Sequence, residues 1–322
     1  MGEILVGVDL GGTNVRAGAV TPGGELTAQR SAPIEAARGP RAGVERITSM
    51  LADLLAGLPE ASLLGIGIGS TGPLDRVRGA IQNPYTLPGW EDVDIASPLS
   101  ERFCVPVVLE NDADAAALGE AWLGAGRGMS RMAMVTVGTG IGTAFIVDEK
   151  IYRGSQGVHP EGGHMLIDPA GPECYCGAHG CWESLVAGPG IARLARQAAS
   201  THGGAMLDMA GGDLDRVDAR IMVRAARMGD AAALEAVERA AFYLGLGMVN
   251  IMLLFYPEGI VLGGGVMEEY DLFAPGIRAV IARHDRMIPA RQVQLLKARL
   301  GGQAGVLGAA RAVLNHIEEQ KP

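Results

Sequence analysis

The chain has 322 residues, which predicts about two domains, and 48% of its residues are apolar, enough for large cores. Its net charge of −9 argues against nucleic acid or an anionic membrane as the main partner, since both attract a cationic surface. No basic leader with a cleavage site is visible, and the apolar run 242–256 is too short for a membrane span. We therefore expect a cytoplasmic protein, and the clustering of three of the four cysteines fits a metal site in a reducing compartment.

The first half of the sequence alternates strands and helices. Its apolar pattern predicts strands at 4–9, 15–20, 63–69 and 105–109, and helices at 41–58 and 113–123. A glycine turn at 11–13 joins the first two strands. Asp114 and Glu120 are expected on the outward face of helix 113–123.

The second half opens by repeating the pattern of the first. Strand 132–137, glycine turn 138–142 and strand 143–147 follow the same order, which indicates an internal duplication. Helices are predicted at about 187–199, 214–228 and 231–255, and residues 201–213 are predicted to form a mobile loop. Strand 259–262 and a last helix, about 303–319, complete the alternation that is typical of an α/β protein.

Three glycine turns follow predicted strands and are candidates for binding phosphate. Glycines let the backbone approach a phosphate, and their exposed N–H groups form an anion-binding concavity. The candidate residues are Asp9, Gly11, Gly12, Thr13, Gly138, Thr139, Gly140, Gly263, Gly264 and Gly265. The spacing is neither that of a P-loop nor that of a Rossmann fingerprint, and the first turn alone is equally consistent with a plain hairpin.

Asn111 and Asp112 stand between a predicted strand and a predicted helix. Both residue types are favoured at a helix N-cap. A carboxylate at this place is also suited to accept a proton from a substrate hydroxyl. The sequence leaves both interpretations open, and one residue can cap the helix while the other reaches a ligand.

A cluster of metal-ligating residue types lies in the middle of the chain. Cys174, Cys176 and Cys181 follow a histidine closely, and Zn²⁺ takes thiolate and imidazole ligands in a tetrahedral site. Either His164 or His179 can supply the fourth ligand, and buried cysteines or a disulfide in an ordinary loop are the alternative. Two glutamates flank the cluster, Glu161 and Glu183, and their carboxylates can accept hydrogen bonds from hydroxyl groups.

Taken together, these motifs resemble those of the ROK (repressor, ORF, kinase) family of bacterial sugar kinases, most of all its glucokinases, over essentially the whole chain. The matching segments are Asp9-Leu10-Gly11-Gly12-Thr13, Glu110-Asn111-Asp112-Ala113, Gly138-Thr139-Gly140-Ile141-Gly142, Glu161-x-Gly163-His164 with Cys174, Cys176, Cys181 and Glu183, and Leu262-Gly263-Gly264-Gly265.

The resemblance implies an actin-like, duplicated ribonuclease-H-type fold with two lobes and a cleft between them. The resemblance also implies phosphorylation of the 6-hydroxyl of glucose by ATP with Mg²⁺, with Asp112 as general base. The sugar would be held by Asn111, Asp112, Glu161, His164 and Glu183. Structural Zn²⁺ would be held by His164, Cys174, Cys176 and Cys181. The order of the elements places the domain boundary near 110–125, with the last helix packing back on the first domain. We therefore expect a small lobe of residues 1–118 with the C-terminal helix of about 303–322, and a large lobe of residues 119–302 that carries the zinc loop.

Three departures from the family pattern bear on the choice of sugar: Thr86-Leu87-Pro88-Gly89-Trp90, His159-Pro160 and Ala187. Fructose, mannose, allose, N-acetylmannosamine and N-acetylglucosamine are therefore alternative substrates. A sugar-responsive repressor is disfavoured, because the first phosphate motif begins near residue 4 and leaves no room for a helix-turn-helix before it. An ATPase or chaperone of the same superfold is disfavoured by the zinc and sugar cluster. The resemblance also suggests a dimer or tetramer.

Overall fold

The structure, a computed structural model, describes residues 2–321, and this part of the chain forms thirteen β-strands and ten α-helices. The strands are β1 Glu3–Leu10, β2 Asn14–Val20, β3 Leu26–Pro33, β4 Ser62–Ser70, β5 Leu74–Asp75, β6 Ala80–Ile81, β7 Val93–Asp94, β8 Val107–Asn111, β9 Arg131–Val137, β10 Ile141–Val147, β11 Lys150–Ile151, β12 Gly259–Gly263 and β13 Gln294–Lys297. The helices are α1 Pro40–Ala56, α2 Ala96–Phe103, α3 Asp112–Leu123, α4 Trp182–Val186, α5 Gly188–His202, α6 Ala205–Met209, α7 Ala219–Arg227, α8 Ala231–Phe255, α9 Tyr270–Arg283 and α10 Ala304–Glu319. This alternation confirms the predicted α/β class.

By its internal contacts the chain divides into two units. The first takes in the chain up to Ser130, Ala144–His159 and the chain from Ala298 onward. The second takes in Arg131–Thr143 and Pro160–Lys297. The lobe limits expected from the sequence stay a prediction. Residue 118 lies within α3, all of which belongs to the first of these units, where α10 packs along it.

The first unit is built on a five-stranded sheet with the order β3-β2-β1-β4-β8. Strand β1 is antiparallel to β2 and parallel to β4, and β4 is parallel to β8. Both faces of β1 are buried, as expected for a strand whose sheet is covered on both sides. Ile4, Val6 and Val8 belong to a core that includes α1, whereas Leu5 belongs to a second core that includes α10.

Two paired glycines let α10 lie directly on this sheet. Gly7 of β1 pairs with Gly67 of β4. A Cβ atom at Gly7 would overlap the carbonyl oxygen of Val306, and one at Gly67 would overlap that of Ala309. Because only glycine lacks that atom, these two positions fix how closely the last helix approaches the strands.

Two acidic residues of α3 lie inside the first unit, contrary to the prediction that they face outward. Asp114 and Glu120 are both 0% exposed. Glu120 accepts hydrogen bonds from the backbone N–H groups of Ala125 at 2.7 Å and Arg299 at 2.9 Å. The prediction was wrong because the partners that allow these carboxylates to be buried are supplied from other parts of the chain, which the local pattern does not show.

A second five-stranded sheet has the order β11-β10-β9-β12-β13. Its strands follow the same chain order as β3-β2-β1-β4-β8, which fits the internal duplication expected from the two glycine turns. Strand β12 is parallel to β9 and to β13, and Gly263 pairs with Thr136. The turns after β9 and β12 therefore lie at the same edge of the sheet.

Helix α8 is the central helix of the second unit and has the bounds predicted from the sequence. By length and composition it is long and apolar enough to cross a membrane, and 56% of its most apolar window is buried. It packs against α5, α7 and α9, as the core helix of a folded unit does. The predicted mobile loop 201–213 contains α6, whose first N–H group donates to Asp230 Oδ2 at 2.8 Å, so the loop prediction was wrong there.

Candidate functional site

The junction of β8 and α3 fixes Asn111 and Asp112 in different roles. Asn111 is the N-cap of α3, because its Oδ1 accepts the N–H of Ala113 at 2.8 Å. Asp112 Oδ1 accepts the same N–H at 2.8 Å, and Oδ2 accepts the hydroxyl of Thr71 at 3.1 Å. Asn111 thus ends the strand and starts the helix, and Asp112 presents a carboxylate held at a helix N-terminus, where negative charge is stabilised.

The carboxyl group of Asp112 is under opposing influences. The pKa of Asp112 is raised above its ordinary value, because burial outweighs the hydrogen bonds from Thr71 and from the Ala113 N–H, which lower it. Asp9 lies at the same edge of the sheet, since the register runs from Leu10 through Ser70 to Asn111 in neighbouring strands. Burial also raises the pKa of Asp9, while Arg16 at 3.3 Å lowers it.

Glu110 precedes the pair and is almost completely buried between two arginines. Arg76 donates to it through Nε at 2.8 Å and Nη2 at 2.5 Å, and Arg153 Nη2 donates at 2.7 Å. A buried carboxylate needs such compensation. These two arginines fix the end of β8 from which Asn111 and Asp112 project, and the sequence prediction had no role for either of them.

The loop that carries Thr71 is held by another buried polar residue. Asn83, which is 0% exposed, donates to the carbonyl oxygen of Thr71 at 3.1 Å and to the hydroxyl of Thr86 at 2.6 Å. Its Oδ1 accepts the N–H groups of Tyr85 and Thr86 at 2.9 and 3.0 Å. Thr71 therefore reaches Asp112 from a loop with a fixed shape. Sequence reasoning also missed Thr71 and Asn83.

The first glycine turn, Gly11 to Thr13, joins β1 to β2 next to Asp9. The N–H of Gly11 donates to the carbonyl of Asn14 at 3.0 Å, which closes the turn. Gly12 and Thr13 lie at the exposed tip of the turn. The arrangement is that of a hairpin turn, and the backbone of its tip faces solvent, where an anion could reach it.

The other two glycine turns belong to the second unit. Gly138 N–H donates to Gly140 O at 2.9 Å, and the next N–H, that of Ile141, donates to Glu183 Oε2 at 2.7 Å. Gly264 has φ of 86°, a left-handed conformation that favours glycine, and a Cβ atom there would overlap the backbone of Val137. Glu183 is therefore tied directly to the second glycine turn.

One histidine and three cysteines gather in the second unit. The ligand atoms of His164, Cys174, Cys176 and Cys181 all lie within 4.8 Å of one another. His164 Nδ1 is 3.5 Å from Cys174 Sγ, and Cys176 Sγ is 3.5 Å from Cys181 Sγ, too far for a disulfide. His179 lies outside the group and is exposed. The geometry thus brings His164, rather than His179, to the cysteines.

This cluster has the chemistry of a zinc site. Three thiols and one imidazole nitrogen are the donor set of a closed tetrahedral Cys₃His site. Burial raises the pKa of Cys181 to about 12 and also raises the pKa of Cys174, so a thiolate there needs a cation beside it. The residues present therefore fit Zn²⁺, and four protein ligands would leave no open position for catalysis.

Tyr175 joins the cluster to the two flanking glutamates. Its hydroxyl lies 3.1 Å from His164 Nε2, the ring nitrogen that faces away from Cys174. Burial raises the pKa of Tyr175, and the nearby carboxylates of Glu183 and Glu161 raise it further. The phenol thus lies among the acceptor groups that the sequence predicted for sugar hydroxyls. Its position between two of the cysteines was the signal that could have identified it.

A protein-family model described as the ROK family matches residues 5–316. The chain belongs to the ROK family. The glucokinase of Halalkalibacterium halodurans is 34% identical over 309 residues, which are 94% of this chain and 92% of the relative. The resemblance inferred from the motifs is confirmed.

Solved structures show the same fold. The ROK glucokinase of Streptomyces griseus, in complex with glucose and AMPPNP, has a TM-score of 0.79 and 32% identity, and the match covers 96% of this chain and 98% of that one. The ROK hexokinase of Thermus thermophilus has a TM-score of 0.82 and 33% identity, and the match covers 98% of this chain and 99% of that one. The expected actin-like fold is therefore confirmed.

Proposed function

We propose that the protein transfers the γ-phosphoryl group of ATP to the 6-hydroxyl of glucose, with Asp112 as the general base. The coarser statement, that the chain is an ATP-dependent sugar kinase of the hexokinase type, rests on its family and on its similarity to curated glucokinases over 94% of its length. The assignment of the base is carried by one observation. Asp112 presents a carboxylate that Thr71 and a helix N-terminus hold in one orientation.

In the proposed reaction the sugar 6-hydroxyl attacks the γ-phosphorus while the bond from that phosphorus to the bridging oxygen of ADP breaks. The hydroxyl proton passes to a carboxylate oxygen of Asp112. Phosphoryl transfer of this kind depends on positioning and on stabilisation of the phosphate charge, which Mg²⁺ supplies when it is bound with the nucleotide. ATP is assigned to the three glycine turns, which comprise Asp9, Gly11, Gly12 and Thr13; Gly138, Thr139 and Gly140; and Gly263, Gly264 and Gly265, the last of which resembles the family's adenosine motif.

The sugar hydroxyls are assigned to Asn111, Asp112, Glu161, His164 and Glu183. In this proposal His164 binds structural Zn²⁺ through Nδ1, and its Nε2 bonds a sugar hydroxyl in the place that the Tyr175 hydroxyl takes at 3.1 Å. Glu183 is oriented by the backbone N–H of Ile141, so a hydrogen bond joins the second glycine turn to this proposed sugar-binding carboxylate. Zn²⁺ holds the loop that orients His164 and takes no part in the chemistry.

The test is ATP-dependent phosphorylation by zinc-loaded protein across glucose, fructose, mannose, allose, N-acetylmannosamine and N-acetylglucosamine. We expect the highest kcat/KM for glucose. Asp112→Asn should lower kcat by about 10²–10⁴-fold or more, the usual contribution of a positioned general base.

The matched control is Asp218→Asn, because Asp218 also accepts a helix N-terminal N–H group, at 2.8 Å from Ile221, and belongs to the second unit, whereas Asp112 belongs to the first. It should retain the wild-type rate. A higher kcat/KM for another sugar would keep the mechanism and reject glucose. A wild-type rate for Asp112→Asn would reject the base.

A further inference from the structure

Asp114 is a buried carboxylate that the proposed reaction does not use. It follows Asp112 by two residues in the first turn of α3 and is 0% exposed. Among the described residues, neither of its oxygens accepts a hydrogen bond of ordinary geometry. A carboxylate in such surroundings is strongly disfavoured unless an opposite charge lies beside it.

His159 lies beside it. Its Nδ1 is 3.1 Å from Asp114 Oδ1, and its side chain is only 13% exposed. A buried carboxylate at this distance favours the imidazolium form of a histidine. The structure therefore places an imidazole directly against a buried carboxyl group in the first turn of α3.

The segment that carries His159 is fixed at two points. Arg153 donates to Glu110 at 2.7 Å, and His159 meets Asp114 six residues later along the segment. Glu110 and Asp114 lie on either side of Asn111 and Asp112 in the sequence. The segment thus brings one arginine and one histidine to the two acidic residues that flank the catalytic pair.

Charged groups from several neighbouring elements face Asp112. Asp9, at the end of β1, is a like charge that Arg16 partly neutralises, and Asp114 is a second like charge. Glu110 is neutralised by Arg76 and Arg153. His159, when protonated, favours the ionised form of Asp112 and lowers the pKa of that carboxyl group.

We propose that His159 and Asp114 form a charge pair that keeps Asp112 ionised, with His159 as a positioning residue for the base. Asp114 holds the imidazole in place and charged, and the imidazolium offsets the two like charges around Asp112. The inference rests on the proposed function, since it requires Asp112 to act as a base.

The test measures kcat as a function of pH for the wild type, His159→Gln, His159→Lys and Asp114→Asn/His159→Gln. Replacing the imidazole removes the positive charge that favours the ionised form of Asp112 and leaves any charge that remains on Asp114 without a partner, so His159→Gln should move the acid limb of the profile to higher pH. At pH 6 it should be on the order of tenfold less active than the wild type, and the difference should shrink at pH 9. His159→Lys keeps a positive charge at this position, so the acid limb of its pH profile should lie at the same pH as that of the wild type.

The double variant distinguishes an effect of the charges of Asp114 and His159 from an effect of their packing. Asp114→Asn/His159→Gln removes both charges, so its acid limb should return towards that of the wild type although the imidazole is missing. A purely structural role would leave the double variant at least as impaired as His159→Gln, with an unmoved limb, and that result would overturn the inference. If His159→Gln does not fold, the double variant is compared with the wild type directly, and an acid limb that lies at higher pH in the double variant than in the wild type would overturn the inference. The two proposals can fail separately. If Asp112→Asn loses activity but the acid limb of His159→Gln does not move, the proposed function stands and only this inference is rejected.

Discussion

Thr71 contacts Asp112 directly, although the two residues are 41 positions apart in the chain. Its hydroxyl donates at 3.1 Å to the oxygen of Asp112 that does not bind the helix backbone. This hydrogen bond stabilises the ionised carboxylate and so lowers the pKa of Asp112. Thr71, like His159, thus favours the ionised form of the proposed base.

We expect Thr71→Val to impair activity most at low pH. Without the hydroxyl the pKa of Asp112 rises, so a larger share of the base is protonated as the pH falls. A hydrogen bond to a charged group contributes about 1.5–3 kcal/mol, which predicts a loss of about tenfold or more at pH 6 and a smaller loss at pH 9. The measurement is kcat against pH.

The control for this variant is Thr48→Val. Thr48 is similarly half-buried, and its hydroxyl donates to the carbonyl of Val44 at 2.8 Å within α1, so the same chemical change is made away from Asp112. Its pH profile should match that of the wild type. A parallel loss at all pH values in Thr71→Val would show that the hydroxyl acts on something other than the charge of Asp112.

The sequence predicted Asp112 and its neighbour Asn111, but not the polar residues that contact or support them. Asn111 and Asp112 were identified because Asn and Asp at a strand–helix junction form a local pattern. Thr71, Asn83 and Arg153 were missed because each reaches the site from a distant segment and none belongs to a local motif. The side-chain pattern of a single helix likewise could not show that Asp114 is buried, since its partner is His159.

At the scale of elements, the zinc loop is continuous with the helix that carries Glu183. Cys181 is the N-cap residue of α4, which is only five residues long, and Glu183 lies in its first turn. Trp182 anchors the helix through a hydrogen bond from Nε1 to the carbonyl of Tyr243 at 3.0 Å. A metal held by Cys181 would therefore restrain the start of the helix that orients Glu183.

We predict that Cys181→Ser lowers zinc content and weakens sugar binding more than ATP binding. The variant loses one of four proposed ligands at the start of α4. Loss of one well-oriented hydrogen bond to a charged group, about 1.5–3 kcal/mol, would raise the KM for the sugar by about tenfold or more. Zinc per chain by mass spectrometry and the two KM values check this. Chelation of wild-type protein should have the same effects.

Cys104→Ser is the matched control, because Cys104 is an exposed free cysteine of the first unit. It should keep the wild-type zinc content and both KM values. Full zinc content and an unchanged sugar KM in Cys181→Ser would contradict the assignment of Cys181 as a ligand.

Helices with a continuous apolar pattern were predicted well, whereas a helix whose sequence contains helix-breaking residues was not. Helix α8 was predicted with its observed bounds because its apolar composition and length leave little ambiguity. Helix α9 was missed, since Pro275 and Gly276 interrupt its interior and both residues argue against a helix. Tertiary packing overrides that local preference, because Phe273 and Ile277 of α9 are buried.

At the scale of the whole molecule, the duplication places equivalent turns after equivalent strands. Strands β1 and β9 each occupy the centre of a sheet with the same order, and each is followed by a glycine turn. The sequence showed this repeat only through two short patterns, whereas the sheet order shows it over five strands. The duplication explains why candidate phosphate contacts occur in both units.

The first unit is also held together by a contact between distant parts of the chain. Glu120 of α3 accepts the N–H groups of Arg299 at 2.9 Å and Leu300 at 2.8 Å, just before α10 begins. It also accepts the N–H of Ala125 at 2.7 Å. One buried carboxylate thus satisfies three backbone donors and joins the C-terminal segment to the helix that starts with Asp112.

Glu120→Ala should therefore destabilise the first unit as a whole. Each buried donor left without an acceptor costs about 1–3 kcal/mol, so the free energy of unfolding should fall by about 3 kcal/mol or more. Glu120→Gln retains one acceptor oxygen and should lose less. Urea unfolding followed by tryptophan fluorescence measures this, with Trp90 and Trp122 reporting from the first unit and Trp182 from the second. Glu101→Ala, an exposed change in the same unit, should be near neutral. If Glu120→Ala were as stable as Glu101→Ala, the C-terminal segment would have to be held by the contacts of α10 alone.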